Sequence, residues 1–418
     1  MDHHRRSCLT ALAAWGAGCA CAATGGAPAD GRAVEVLHWW TSAGERAALD
    51  EVLQTVNADG LRWRSSAVPG GLSTAATTVL RSRLLSRDPP DMAHLPVRTA
   101  HELAARGLLI DPDPGSRWTS ALMPWVREAV ARDGRLVAVP VGIHRTNTLL
   151  YNLRLWEAHG LQPPRTWGDV THAAGVLSRE GVMPMVWSDD GGQLLVLFES
   201  LLLSALGAAR FRALSGRRGW EDEGVLQALD HLRYLRSLNT RAAGRAPSWS
   251  RAGREFLLDR AGLWLTGDWS RGELNAWGMK AGTDYGCTTV PGTEGTFLFL
   301  VDALGVFDKG ADVAPWQRAL AAHLVEPALQ RAYNRAKGSV PVRTDVSAAG
   351  LDVAEAATWQ ALHDARVDKL PGLSHRLGMD GLRAETMAVL LAGFVRDPRR
   401  PAQEVWQQMV RLNREPLA

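Results

Sequence analysis

The run Val34 to Trp40 is a buried-type strand closed by two adjacent indoles, and the pattern after it changes period. Ser42 and Glu45 stand three residues apart as a capping box. Leu49, Val52, Leu53 and Val56 then recur at helical spacing, which predicts a helix. Arg62 to Val68 predicts a second strand, and Gly70-Gly71 turns the chain. Leu72, Ala76, Val79, Leu80 and Leu84 predict the inward face of a second helix, stopped by Asp88-Pro89-Pro90 before a short strand from Asp91 to Leu95. Strands alternating with helices imply an α/β lobe with a largely parallel sheet.

Further on, Asp133-Gly134 marks a tight turn, "RLVAVPVG" after it a strand, and Thr146 to Asn152 another. Thr166 caps a helix from Trp167, with Asp169 in its first turn. Helices dominate to Leu238. Strands follow at Ala261 to Thr266, Tyr285 to Val290 and Phe297 to Val306, with a helix from Asp268 between the first two. Beyond about Ala348 the pattern is helical. Leu194 to Leu206 is too short to span a membrane and is interrupted by Glu199, Ser200 and Ser204, so it predicts a buried helix.

A chain of 418 residues exceeds one ordinary core, so two domains are expected. Hydrophobic content of 46% and charged content of 22% fit a soluble globular protein, and a net charge of +3 gives no strong pull on nucleic acid. Trp is abundant (17) beside Tyr (4) and Phe (7), which suits flat apolar ligand faces and core packing alike.

Residues 1–22 are expected to be an export leader: Arg5 and Arg6 supply the charged region and Leu9 to Gly18 the apolar one. Gly16-Ala17-Gly18-Cys19 resembles a lipoprotein cleavage box, with Cys19 as the lipidated residue. Ala20-Cys21-Ala22 suits an ordinary signal peptidase. The paired arginines are similar to a twin-arginine signal, except for Cys8. Residues 23–32 then form a flexible tether. Three of the four cysteines lie in the leader, leaving only Cys287 deep in the chain, so no disulfide framework is expected.

No metal-ligand spacing appears among the 12 histidines, and there is no Walker loop, GxGxxG or GxSxG signature. No metal, cofactor or catalytic residue is therefore assigned.

The stretches "HWWTSAGE", "DPPDMAHL", "VAVPVGIHRTNTLLYN", "PPRTWGDV", "GDWSRGEL", "DYGCTTVPGTEG" and "KGSVPVRTD" together resemble the extracellular solute-binding proteins of bacterial ABC sugar importers, of the glucose/mannose-type subgroup. The resemblance runs from about Val34 to Asp345. It implies an α/β, two-lobed periplasmic-binding-protein-like fold of the class II type, with a hinge and an interlobe cleft. The expected division is 33–143 with 296–347 for one lobe, and 144–295 with 348–418 for the other.

The same resemblance puts ligand contacts at Trp39, Trp40, Glu45, His94, His144, Trp269, Asp302, Lys337 and His375. Neighbouring strand residues point to opposite sides, so at most one of Trp39 and Trp40 stacks on a sugar. Glu45 is either a cap, a hydroxyl acceptor, or both. Lys337 is one of four lysines among many arginines, which suggests a need for a compact ammonium. Arg145, beside His144, is expected in a structural ion pair. His94 and Pro96 depart from the family pattern, where an amide and then a Lys or His are usual, and His94 is expected to replace the amide's donor. Thr148 and Leu150 stand where larger aromatics are common, which implies a roomier pocket.

The implied function is an exported, monomeric receptor, periplasmic or held at the cell surface by a lipid anchor. It binds a monosaccharide, glucose-like by default, and delivers it to ABC permease membrane subunits without catalysis. The alternatives are a secreted carbohydrate-active enzyme using Glu45 and Asp302, and a sugar receptor feeding a signalling partner.

Overall fold

The computed structural model describes residues 32–58, 60–69, 74–216, 218–238, 248–373, 379 and 381–414. The proposed leader, Cys19, nearly all of the tether and His375 lie outside the described residues.

Continuous buried runs form β1, β3 and β6, and the first half runs in order: β1 (Ala33–His38), α1 (Ala43–Ala58), β2 (Arg62–Ala67), α2 (Thr74–Leu85), β3 (Met92–Leu95), α3 (Val97–Ala105), α4 (Pro124–Ala129), β4 (Ala131–Arg132), β5 (Arg135–Leu136) and β6 (Val139–Arg145). β1 pairs in parallel with β2 on one side and β3 on the other. Val79 on α2 is 37% exposed, against the inward position its spacing predicts, while Ala76 and Leu80 are buried. The single strand expected over "RLVAVPVG" is split. The amide of Val137 donates to the Val130 carbonyl, which closes the β4–β5 hairpin and separates β5 from β6.

The chain then builds a second sheet from β7 (Thr148–Asn152), α5 (Leu153–Ala158), α6 (Trp167–Arg179), β8 (Met183–Val186), α7 (Gly191–Ala213), α8 (Glu223–Leu238), α9 (Trp249–Leu257), β9 (Ala261–Thr266), α10 (Trp269–Ala276) and β10 (Tyr285–Thr289). Its order is β10-β7-β9-β8. Thr166 and Asp169 form the predicted capping box of α6. α7 is longer than its apolar run suggested and would reach across a membrane by length and composition. Burial marks it as a core helix: Gln193 to Leu203 are all buried, packed around Leu194, Phe198 and Leu201.

β11 (Thr296–Val306), α11 (Ala314–Leu324), α12 (Pro327–Lys337), α13 (Val353–His363), β12 (Asp368–Pro371), α14 (Gly381–Arg396) and α15 (Ala402–Arg414) complete the chain. β11 returns to the first sheet, whose order is β12-β11-β3-β1-β2 with β6 also paired to β11. The strand β12 corrects the all-helical expectation beyond Ala348. It pairs in parallel with β11, Thr296 opposite Asp368 and Phe299 opposite Pro371, and Leu362 of α13 belongs to the first core. The segment after residue 347 therefore does not go wholly with the second sheet, as the expected division had it.

Two lobes result, and they are joined at the crossing from β6 to β7. Asn147 holds this crossing. Its Nδ2 donates to Thr293 Oγ1 and to the Thr296 carbonyl, each at 2.9 Å. Its Oδ1 accepts from the Leu298 amide and Arg145 Nε, each at 3.1 Å. The Arg145 side chain also donates to the Thr296 carbonyl and lies over the Phe297 ring. These contacts take the place of the expected ion pair, and burial lowers its pKa to about 10. β11 spans the join too, with Phe297 and Val301 in the first core, Leu298 in the second and Leu300 in a third.

Candidate functional site

The cleft between the lobes is lined by Trp39, Glu45, His144, Gln193, Trp249, Trp269, Leu300, Asp302 and Lys337. Six of the nine candidate residues thus meet at one cavity. It leaves only about 320 Å³ unfilled by protein atoms, even counting its open mouth.

Each side chain arrives there for a local reason. Trp39 follows the end of β1, and its ring stacks on His94 with centroids 3.8 Å apart. Trp40 packs inside, among His38, Trp63, His94 and Tyr333, and does not line the cleft. Glu45 does two jobs at the start of α1. Its Oε2 accepts from the amides of Thr41 and Ser42, at 2.9 and 3.0 Å. Its Oε1 lies 3.9 Å from Lys337 Nζ.

Lys337 ends α12, where Gly338 turns left-handed at φ 80° and lets the chain leave the helix. Its Nζ also lies 3.8 Å from Asp302 Oδ2. Trp269 opens α10 from the second lobe. Its ring presses on Gly267, where an added Cβ would sit 2.1 Å from the indole, so only glycine leaves room for it. The Trp269 indole N–H is buried without a partner.

Asp302 sits at the centre, where β11 carries a register shift against β6. Its Oδ1 is 3.1 Å from His94 Nε2 and its Oδ2 is 3.2 Å from His144 Nε2. Burial would raise this carboxyl, but the charges of His94, His144 and Lys337 outweigh it and hold the group well below the usual carboxylate range. His144 bridges the lobes, with Nδ1 2.5 Å from Asp268 Oδ1. Burial is the largest single influence and disfavours the imidazolium, but Asp268 and Asp302 together outweigh it and the opposing Lys337, and keep His144 above its ordinary value.

His94 thus supports the site from behind Trp39 and Asp302 and does not line the cleft, unlike the amide donor it was expected to replace. Leu150 is fully buried against the third core, and Thr148 faces a different cavity, so neither enlarges the cleft. Gln193, Trp249 and Leu300 line it without having been singled out. Trp249 follows the N-cap Ser248 and Gln193 follows the N-cap Asp190. Both caps are readable signals of a helix start.

The family profile described as bacterial extracellular solute-binding protein matches residues 73–366. The chain belongs to that family. This solute-binding protein is 32% identical over 326 residues to a probable sugar-binding periplasmic protein of Rhizobium meliloti, covering 75% of this chain and 77% of the relative. It is 25% identical over 352 residues to an uncharacterized ABC transporter extracellular-binding protein of Pyrococcus horikoshii, covering 82% and 79%. In fold it is similar to a bacterial solute receptor described as exclusive for β-D-galactopyranose, with TM-score 0.77, 16% identity and coverage of 91% and 97%. It is also similar to the maltose-maltodextrin binding protein of Alicyclobacillus acidocaldarius, with TM-score 0.68, 17% identity and coverage of 92% and 100%. The two-lobed architecture is common to these receptors.

Proposed function

We propose that this solute-binding protein takes one monosaccharide ring, glucose-like by default, into the interlobe cleft and hands it to the membrane subunits of an ABC importer. One observation carries the reading: Trp39 from the first lobe and Trp269 from the second line the same small cavity, with Glu45, Asp302, Lys337 and His144 on its walls. A pyranose has apolar C–H faces that an indole covers and a hydroxyl rim that carboxylates and an ammonium bind. The relatives described as sugar-binding and as part of an ABC transporter support the same class. The narrow space favours a single ring of the glucose/mannose type over a chain of sugars.

The lobes close on the ring because it touches both, which makes the closed form the tighter binder. The two carboxylates are already engaged, Glu45 by backbone amides and Asp302 by two histidines. That supports holding a ligand over cleaving a glycosidic bond. The protein is exported and acts as a monomer, either free in the periplasm or held at the cell surface through Cys19. A thermal-shift screen over hexoses, pentoses, disaccharides and polyols tests the reading, since a ligand of the native state raises stability by mass action. A hexose is expected to give the largest shift; a response confined to oligosaccharides, or none at all, contradicts it.

A further inference from the structure

A second cavity, of about 460 Å³ with its mouth included, shares no lining residue with the sugar cleft. Its walls come from both lobes. Arg271 is on α10, Arg331 and Arg335 lie one turn apart on α12, Ser339 and Ser347 are on the chain after α12, and Glu355 and Trp359 are on α13.

Arg271 is the decisive group. It is 2% exposed, and its Nη2 donates to the Gly338 carbonyl at 2.6 Å and lies 3.8 Å from Asp268 Oδ2. Its Nε and Nη1 are buried and have no hydrogen-bond partner. Buried guanidinium N–H groups call for acceptors, and a fixed fork of donors matches a multi-oxygen anion. Arg331 and Arg335 are exposed at the rim and add two further charges. Besides Asp268, the acids facing Arg271 are Asp352 and Glu355, whose Oε2 accepts from the Asp352 amide and whose carboxyl burial pushes up, making it harder to charge.

We propose that this cavity binds a small oxyanion of the phosphate or sulfate type. Arg271 of one lobe and Arg331 and Arg335 of the other share it, so the anion ties the lobes together at a point separate from the sugar.

The test is the melting temperature of the full chain in sugar-free buffer, titrated with phosphate, sulfate, acetate or chloride at constant ionic strength. Phosphate and sulfate are expected to raise it saturably above the chloride control. The Arg331→Ala/Arg335→Ala double variant, altered only at exposed positions, is expected to melt normally without anion and to lose the phosphate response. Glu355→Gln, which keeps the acceptor for Asp352, is expected to tighten phosphate binding at least threefold. A phosphate response no larger than that of chloride, an equal response in the double variant, or weaker binding in Glu355→Gln overturns the proposal. Acetate matching phosphate overturns the assignment to a tetrahedral anion. No sugar enters this test, so its failure leaves the reading of the cleft untouched.

Discussion

The amide of Gly44, at the start of α1, donates to the Glu273 carboxylate on α10 across 2.7 Å. This buried hydrogen bond joins the two lobes beside Glu45 and sets a negative charge on the positive end of a helix. The approach needs glycine, because a Cβ on Gly44 would lie 2.5 Å from the Gly272 carbonyl carbon. Gly44→Ala is therefore expected to wedge the lobes apart while suiting the helix itself. Sugar affinity measured by calorimetry should fall tenfold or more, about 1.4 kcal/mol, with little change in the melting temperature of the ligand-free protein. Unchanged affinity would remove this contact from the closing mechanism.

The neighbouring indoles Trp39 and Trp40 should separate cleanly by readout. Trp39→Ala and Trp269→Ala are expected to weaken sugar binding by about 2 kcal/mol or more, as truncation of a central aromatic contact does. Trp40→Ala removes a ring that is 2% exposed and should cost about 3–5 kcal/mol of folding stability. Urea unfolding and calorimetry on the three variants distinguish the roles.

Two buried histidines give the stability opposite pH slopes. His38 is lowered to about 4, by burial first and then by the charge of His94. The unfolded chain therefore takes up that proton first as pH falls, so stability rises with pH between about 4 and 6.5. His144 is raised, because Asp268 and Asp302 outweigh its burial. Its contribution is full below its unfolded value of about 6.5 and is lost as pH rises through the folded one. Melting curves across pH should show both arms. His144→Gln should flatten the decline on the alkaline side and leave the acid arm in place.

The Asn147 side chain makes five hydrogen bonds at the join of the lobes. Asn147→Ala leaves the Leu298 amide and other buried groups without it, which should cost about 1–3 kcal/mol per unmet group. A urea midpoint equal to that of the unaltered protein would contradict this account of the hinge.

Local signals were legible wherever the side chain that forms an element also announces it. The Ser42–Glu45 pair announced α1, Thr166–Asp169 announced α6, and the apolar run of β1 led to Trp39. What escaped depends on partners far along the chain. β12 is four residues ending in Pro371, with no alternation of its own, and exists because β11 offers an edge. Val79 has helical spacing but lies on the exposed face of α2, away from buried Ala76 and Leu80. His94 and Trp40 look like ligand residues beside Trp39, yet Trp40 is packed among His38, Trp63 and Tyr333, and Asp302 holds His94 behind the cleft. Gln193 and Trp249 reach the cleft only because the second sheet aims the starts of α7 and α9 at it. The anion cavity joins α10, α12 and α13, and no short stretch reveals it.

The decisive measurement is a crystal structure of the protein with its preferred sugar bound. One pyranose ring is expected between Trp39 and Trp269, its hydroxyls within hydrogen-bond distance of Glu45, Asp302 and Lys337. A sugar seated elsewhere, or one that leaves both indoles untouched, would contradict the proposed sugar site.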